Sequence, residues 1–186
     1  DEKVCAITAA MAEGTGLSAF AQKYPTRFFD VGIAEEHAVT MAAAMAKQGM
    51  RPVCALYSTF LQRAFDQLIH DNALDPVHTV FGIDRAGIVG EDGETHNGVF
   101  DIPMLRLVPG MVLYAPANYA ELESMLKLCL YTEKTPCAVR YPRGSEGDFT
   151  EDYTALGEDC VLTNGSDITI VAYGMHINAA LSAAKW

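Results

Sequence analysis

The chain has 186 residues, 50% of them hydrophobic and 20% charged, with 24 acidic against 13 basic side chains and a formal net charge of −11. That composition excludes a disordered chain, and the charge excludes a nucleic-acid or anionic-membrane surface, because no basic block is present to neutralise a phosphate backbone. Any phosphate it binds must be small and met by one or two local arginines.

The five cysteines, Cys5, Cys54, Cys129, Cys137 and Cys160, stand in apolar segments without CxxC spacing. They are expected to be buried thiols of a reducing compartment, not disulfides or metal ligands. No apolar run approaches the ~20 residues of a membrane span and no signal-like segment opens the chain, which points to a cytoplasmic protein. The chain starts at Asp1 without a methionine and stops within an amphipathic pattern running from His176 to Trp186, as if cut from a longer polypeptide.

In chain order, Val4 to Ala10 reads as a strand, Gly14 to Lys23 as a helix and Arg27 to Val31 as a short strand. Glu35 to Gln48, rich in Ala, Met and Val and followed by Gly49 at a C′ position, predicts a helix. Pro52 to Tyr57 is an apolar strand, after which Ser58 or Thr59 can cap a helix from Phe60 to about Ala73 that Asp75-Pro76 ends. Val77 to Ile83 is the next strand. Met111 to Tyr114 reads as a strand, Tyr119 to Tyr131 as an amphipathic helix and Cys137 to Arg140 as a strand. The alternation predicts an α/β fold with a doubly wound, mostly parallel sheet flanked by helices over residues 1–145. An acid-rich linker is expected over 146–160. A strand at Ile168 to Tyr173 and a helix from Ile177 would begin a second α/β domain over 161–186.

Between Asp84 and Asp101 the chain reads D-R-A-G-I-V-G-E-D-G-E-T-H-N-G-V-F-D. Glycines there let backbone approach a ligand closely, Arg85 and Asp92 supply fixed charges, and His96 supplies an imidazole. Open α/β sheets bind ligands on such loops at strand carboxyl ends. On the Glu35 helix, Glu35 shares a face with Val39, Ala42 and Ala46, whereas Glu36 shares one with Thr40 and Lys47, so Glu35 is expected to point inward. It is either a carboxylate favoured by the helix dipole or a buried proton donor or acceptor for a ligand. Phe60 and Arg63 lie three apart on one helical face. They either stack on a planar ring, or Phe60 is core and Arg63 pairs with an acid such as Asp66 or Asp71. His37, His70, His78 and His176 are isolated and read as structural. Arg143, in Y-P-R-G after the last strand of the first domain, either reaches the same crevice or closes the linker.

Four segments, D-V-G-I-A-E-E-H-A-V-T around Glu35, Y-S-T-F-L-Q-R-A-F-D-Q from Tyr57, the loop from Asp84, and R-Y-P-R-G from Arg140, resemble the pyrimidine-binding domain of the 1-deoxy-D-xylulose-5-phosphate synthases. These are transketolase-like thiamine diphosphate enzymes, and the resemblance covers nearly all of residues 1 to 145, in order. It implies condensation of pyruvate with glyceraldehyde 3-phosphate, releasing carbon dioxide and giving 1-deoxy-D-xylulose 5-phosphate, the first step of the non-mevalonate isoprenoid pathway. On that resemblance Glu35 would donate a proton to the aminopyrimidine of the cofactor, Phe60 would stack on it and Arg63 would line its pocket. Tyr57, Arg85, Asp92 and Arg143 would hold the phosphorylated acceptor, with His96 beside the reacting carbons as a hydrogen bonder or proton shuttle.

The resemblance also implies thiamine diphosphate and Mg²⁺ as cofactors and a homodimer. Family members hold the diphosphate and metal in another domain through a G-D-G motif followed by an asparagine. Gly90-Glu91-Asp92-Gly93 with Asn118 imitates that spacing, but Glu94-Thr95-His96 follows where a helix should start. No metal ligand is therefore expected in this chain, and alone it is expected to be inactive. The alternatives are transketolase-type ketol transfer, a non-catalytic binding module that keeps the fold, and half of a split two-chain enzyme.

Overall fold

A computed structural model describes residues 1–156 and 159–185. Gly157 and Glu158 in the expected linker, and Trp186 at the end of the last expected helix, lie outside them. Strands form at the short apolar runs: β1 (Val4–Thr8), β2 (Phe28–Asp30), β3 (Arg51–Tyr57), β4 (Val80–Asp84), β5 (Val112–Tyr114) and β6 (Cys137–Arg140). They make one sheet in the order β2-β1-β3-β4-β6-β5, and every pairing is parallel. β4 is buried along its whole length, as a central parallel strand covered on both faces must be. The strand order reverses between β1 and β3, which places a crevice at their carboxyl ends.

The helices that cover the sheet are α1 (Ser18–Lys23), α2 (Glu35–Lys47), the short α3 (Ser58–Leu61), α4 (Phe65–Gln67) and α5 (Asp101–Leu105), then α6 (Tyr119–Tyr131) and α7 (His176–Ala183). α2 presents Ala38, Val39, Ala42 and Ala43 to the interior, where they join Ile7, Leu56, Leu61, Leu68, Phe81 and Ile83 in the main core. Small side chains on that face let the helix axis approach the sheet closely, which draws Glu35 inward with it. Val80, Cys129, Cys137 and Val139 form a second buried cluster between the sheet and α6.

Several sequence expectations change. β1 stops at Thr8, because Ala10 takes a left-handed backbone with φ of 60°. Residues 12–16 are turns and α1 begins only at Ser18. The single helix expected from Phe60 to Ala73 is broken into α3, a 3-10 turn at Gln62–Ala64, α4 and a π-helical turn at Leu68–Ala73. Neither Ser58 nor Thr59 caps it, since the N-cap position is Tyr57 without a side-chain hydrogen bond. β4 starts at Val80 in place of Val77.

Ile168 to Tyr173 forms no strand, and Ile168, Ile170, Val171 and Tyr173 are exposed. A strand needs a neighbour to satisfy its backbone, and none lies beside this segment among the described residues. The acid-rich segment hydrogen-bonds with α6 and α7: Glu146 accepts from Tyr119 N, Asn178 accepts from Phe149 N, and Ser124 donates to Asp152.

Cys5, Cys54, Cys129 and Cys137 are buried as expected, but Cys160 is exposed. Burial pushes the Cys54 thiol up to about 12. A water-soluble disulfide reagent is therefore expected to label Cys160 in the native protein and to reach the other four thiols only on unfolding, even at about pH 9, where an ordinary thiol is ionised. Rapid labelling of more than one thiol without unfolding would contradict this packing.

Candidate functional site

The parallel register aligns the strand ends that carry the site. Tyr57 pairs with Asp84 across β3 and β4, and Ile83 pairs with Arg140 across β4 and β6. Tyr57, Asp84 and Tyr141 therefore reach the crevice at one level, and the chain continues from them into α3, the glycine loop and the Pro142-Arg143 turn.

Glu35 opens α2 and is only 1% exposed, while Glu36 beside it is exposed. The inward placement expected from the helical face is thus found. One carboxylate oxygen of Glu35, Oε1, accepts from Arg63 Nη1 at 2.5 Å. The other, Oε2, is buried and has no hydrogen-bond partner. A buried carboxylate oxygen left without a donor is costly, on the order of 1–3 kcal/mol, unless a ligand completes it. The partner of Arg63 is neither acid that sequence spacing suggested: Asp66 pairs with His70, and Asp71 accepts from Thr40. The tight turn at Gln62–Ala64 carries Arg63 toward α2 instead.

An aromatic group lies beside this pair. The rings of Tyr57 and Phe60 are stacked, with centroids 5.8 Å apart and an interplanar angle of 17°. The His96 ring meets Phe60 edge-on at 5.3 Å and Tyr57 at 6.4 Å. The Arg63 guanidinium lies 4.8 Å from the Phe60 centroid, so it holds both the carboxylate and one aromatic face. Phe60 is half-buried, and its ring belongs to the site as well as to the core.

Arg85 is the most constrained residue here. Its backbone is left-handed, with φ of 56°, a conformation that costs a residue with a side chain about 1–2 kcal/mol. Its guanidinium lies 4.0 Å from the Tyr57 centroid, donates to the Gly14 carbonyl at 2.6 Å, and pairs with Asp84 and Asp92, both at 3.2 Å. Arg143 takes the other oxygen of Asp92 at 2.8 Å and Glu91 at 3.0 Å. Three carboxylates thus surround two guanidiniums, and an anionic ligand would compete with them for both arginines.

The glycines make the close approaches possible. Gly87 and Gly98 exchange two hydrogen bonds, at 2.7 and 2.8 Å, across the base of the loop. A side chain at Gly98 would collide with the Arg85 carbonyl and Ser58, and one at Gly14 would collide with the Tyr57 hydroxyl. Within the loop, short 3-10 turns at Gly90–Asp92 and Glu94–His96 present Asp92 and His96. The His96 Nδ1 lies 2.9 Å from Thr95 Oγ1.

Burial raises the Asp84 carboxyl above its ordinary value, although the Arg85 charge and backbone N–H pull it back. Burial also pushes the Tyr57 and Tyr141 phenols up. Beside Arg85 and Arg143 a cavity of about 280 Å³ opens, lined also by Asn118, Tyr119, Tyr141 and Met175.

All eight site residues expected from the sequence, Tyr57, Phe60, Arg63, Arg85, Asp92, His96, Arg143 and Glu35, are therefore linked by these contacts. Asn118 instead caps α6, its side chain accepting from Glu121 N at 2.9 Å. The sequence reading missed Asp84, the Gly14 carbonyl and the Glu35 to Arg63 pairing. Only Asp84 left a signal, an acid at the end of a buried strand.

The family model for the transketolase pyrimidine-binding domain matches residues 1–147. The chain belongs to that family. It is similar to the 1-deoxy-D-xylulose-5-phosphate synthase of Thermomicrobium roseum, at 54% identity over 99% of this chain and 30% of that protein. It is also similar to the one from Gloeobacter violaceus, at 53% identity over 99% of this chain and 30% of that protein. The chain spans about 30% of the length of these curated relatives.

Among solved structures it resembles a split-gene transketolase described as an inactive β4 tetramer, at a TM-score of 0.80 and 28% identity, covering 100% of this chain and 61% of that one. It shares its fold with a transketolase of Pichia stipitis in complex with sedoheptulose 7-phosphate, at a TM-score of 0.85 and 18% identity, covering 99% of this chain and 30% of that one.

The raised Asp84 carboxyl has a signed consequence. The folded state binds its proton more tightly than the unfolded state, so the cost of Asp84 sets in as pH rises above its ordinary value near 3.8 and stays above its folded value. The uncharged isostere removes that cost. In urea unfolding, the stability of Asp84→Asn relative to the parent is expected to rise as pH is raised through and above the ordinary aspartate value of 3.8; a flat or falling difference would contradict the burial argument.

Proposed function

We propose that this chain is the pyrimidine-binding part of a 1-deoxy-D-xylulose-5-phosphate synthase, which condenses pyruvate with glyceraldehyde 3-phosphate and releases carbon dioxide. The observation that carries this reading is the Glu35 carboxylate, with Oε1 held by Arg63, which itself lies over the Phe60 ring, and Oε2 buried and unpartnered. A protonated oxygen there can donate to a ring nitrogen of an aminopyrimidine, so the residues fit that end of thiamine diphosphate. The bound cofactor supplies the electron sink that lets pyruvate lose carbon dioxide and join an aldehyde.

Glu35 holds and exchanges the proton at Oε2, and Arg63 fixes the carboxylate through Oε1. Phe60 offers a ring face, which a pyrimidine can use only by sharing or replacing the Arg63 guanidinium now over it. Arg85 and Arg143 are bidentate donors suited to the phosphate of the acceptor, Asp92 to its hydroxyls, and Tyr57 and His96 to the walls beside the reacting carbons. A phosphate entering between the arginines would take the place of Asp92 oxygens on one or both of them, which makes binding depend on the rearrangement of an existing ion pair.

The residues do not fit the diphosphate and its metal. Asp92 is committed to two arginines and Asn118 to a helix cap. Mg²⁺ and the diphosphate therefore belong to another domain, and residues 1–145 alone lack activity. Residues 146–160 are a linker, and 161–186 begin a further transketolase-like domain. The whole enzyme works in the cytoplasm as a homodimer. No helix among the described residues is long and apolar enough to cross a membrane. The relatives at 54% and 53% identity, of which this chain covers 30%, favour a single longer chain over half of a split two-chain enzyme.

The test is kinetic. In the natural full-length enzyme, Glu35→Gln is expected to lower product formation from pyruvate and glyceraldehyde 3-phosphate by about 10²–10⁴-fold, the range of a lost general acid or base. Unchanged turnover would refute the role of Glu35, and turnover with ketose donors in place of pyruvate would favour transketolase-type transfer.

A further inference from the structure

Arg85 cannot aim itself. It is followed by a glycine-punctuated loop, its backbone is left-handed with φ of 56°, and a long arginine side chain gives up rotamer freedom when held in one geometry. Asp84, only 7% exposed, occupies the last position of the fully buried β4, paired in register with Tyr57 of β3. One of its oxygens accepts from the Arg85 backbone N at 2.6 Å. The other lies 3.2 Å from Arg85 Nη1. A single carboxylate thus fixes both ends of the residue that follows it: the strained backbone at one end and the guanidinium at the other.

The remaining contacts turn this into a bracket. Gly14 O takes Nη1 from the β1 side at 2.6 Å, the Tyr57 ring supports the guanidinium plane at 4.0 Å, and Asp92 accepts from Nε at 3.2 Å. Asp92 sits on an exposed-edged loop and is shared with Arg143, so it can leave when an anion arrives. Asp84 sits on the central strand and cannot follow it. We propose that Asp84 is a positioning residue that holds the Arg85 guanidinium for the anionic end of the substrate, so that it stays aimed when Asp92 is displaced.

This rests on the reading that Arg85 receives the phosphate of the acceptor aldehyde, and the experiment separates the two. In the natural full-length enzyme loaded with cofactor, KM is measured for glyceraldehyde 3-phosphate and for unphosphorylated glyceraldehyde. The Kd of inorganic phosphate is measured by calorimetry without turnover. Asp84→Asn keeps an acceptor for the Arg85 N–H but removes the charge, and Asp84→Ser is the second variant if the first does not fold.

The expected result is a KM for glyceraldehyde 3-phosphate and a Kd for phosphate each raised about tenfold, with KM for pyruvate and for unphosphorylated glyceraldehyde unchanged. In an Arg85→Lys background Asp84→Asn should add little, because the geometry it secures is already lost. Arg85→Lys that raises the phosphate-dependent KM while Asp84→Asn does not would overturn the positioning role alone. Arg85→Lys without effect on that KM would overturn the underlying reading. Equal losses for both acceptors would show that Asp84 is merely structural.

Discussion

The site depends on the register that sets Tyr57 opposite Asp84 at the ends of two buried parallel strands. A slip of one residue would turn every side chain of the slipped strand to the other face of the sheet. Both faces of β4 are buried in a close-packed interior that tolerates few such exchanges, so the register is specified and everything in the crevice inherits it. Tyr57 leads into α3 and so places Phe60 and Arg63; Asp84 leads into the glycine loop and so places Arg85, Asp92 and His96. The small-residue face of α2 then sets the depth of Glu35 against Arg63.

Two kinds of electrostatic incompleteness are built onto that frame. At Glu35 a buried carboxylate is satisfied on one oxygen and unsatisfied on the other, which favours a ligand bringing a hydrogen-bonding nitrogen. At Arg85 and Arg143 the guanidiniums are paired with carboxylates, and an anion has to compete for them. Both arrangements require a shift on binding, of the Arg63 guanidinium over Phe60 in the first and of ion-pair partners in the second.

Much of this was legible in the sequence. The alternation of apolar runs and helices gave the parallel sheet, and the face shared by Glu35, Val39 and Ala42 gave its burial, because both depend on local periodicity. The breaks in the Phe60 to Ala73 segment were not legible: it holds no glycine or proline to mark them, and packing against α2 and the sheet decides the 3-10 and π turns. For the same reason Arg63 could be assigned to an acid but not to the right one, since Asp66 and Asp71 are near in sequence and Glu35 is near only in space. The strand expected at Ile168 to Tyr173 had the right composition, yet a strand exists only beside a neighbour, which composition does not supply. Asn118 showed that spacing alone misleads, as its side chain caps a helix.

The central claim is that the free oxygen of Glu35 meets the pyrimidine of thiamine diphosphate. A crystal structure of the natural full-length enzyme with the cofactor bound measures this directly. The expected result is a ring nitrogen of the pyrimidine within hydrogen-bond distance of Glu35 Oε2, about 2.6–3.2 Å, with the ring against Phe60. A pyrimidine bound elsewhere, with Oε2 still buried and unpartnered, would contradict it.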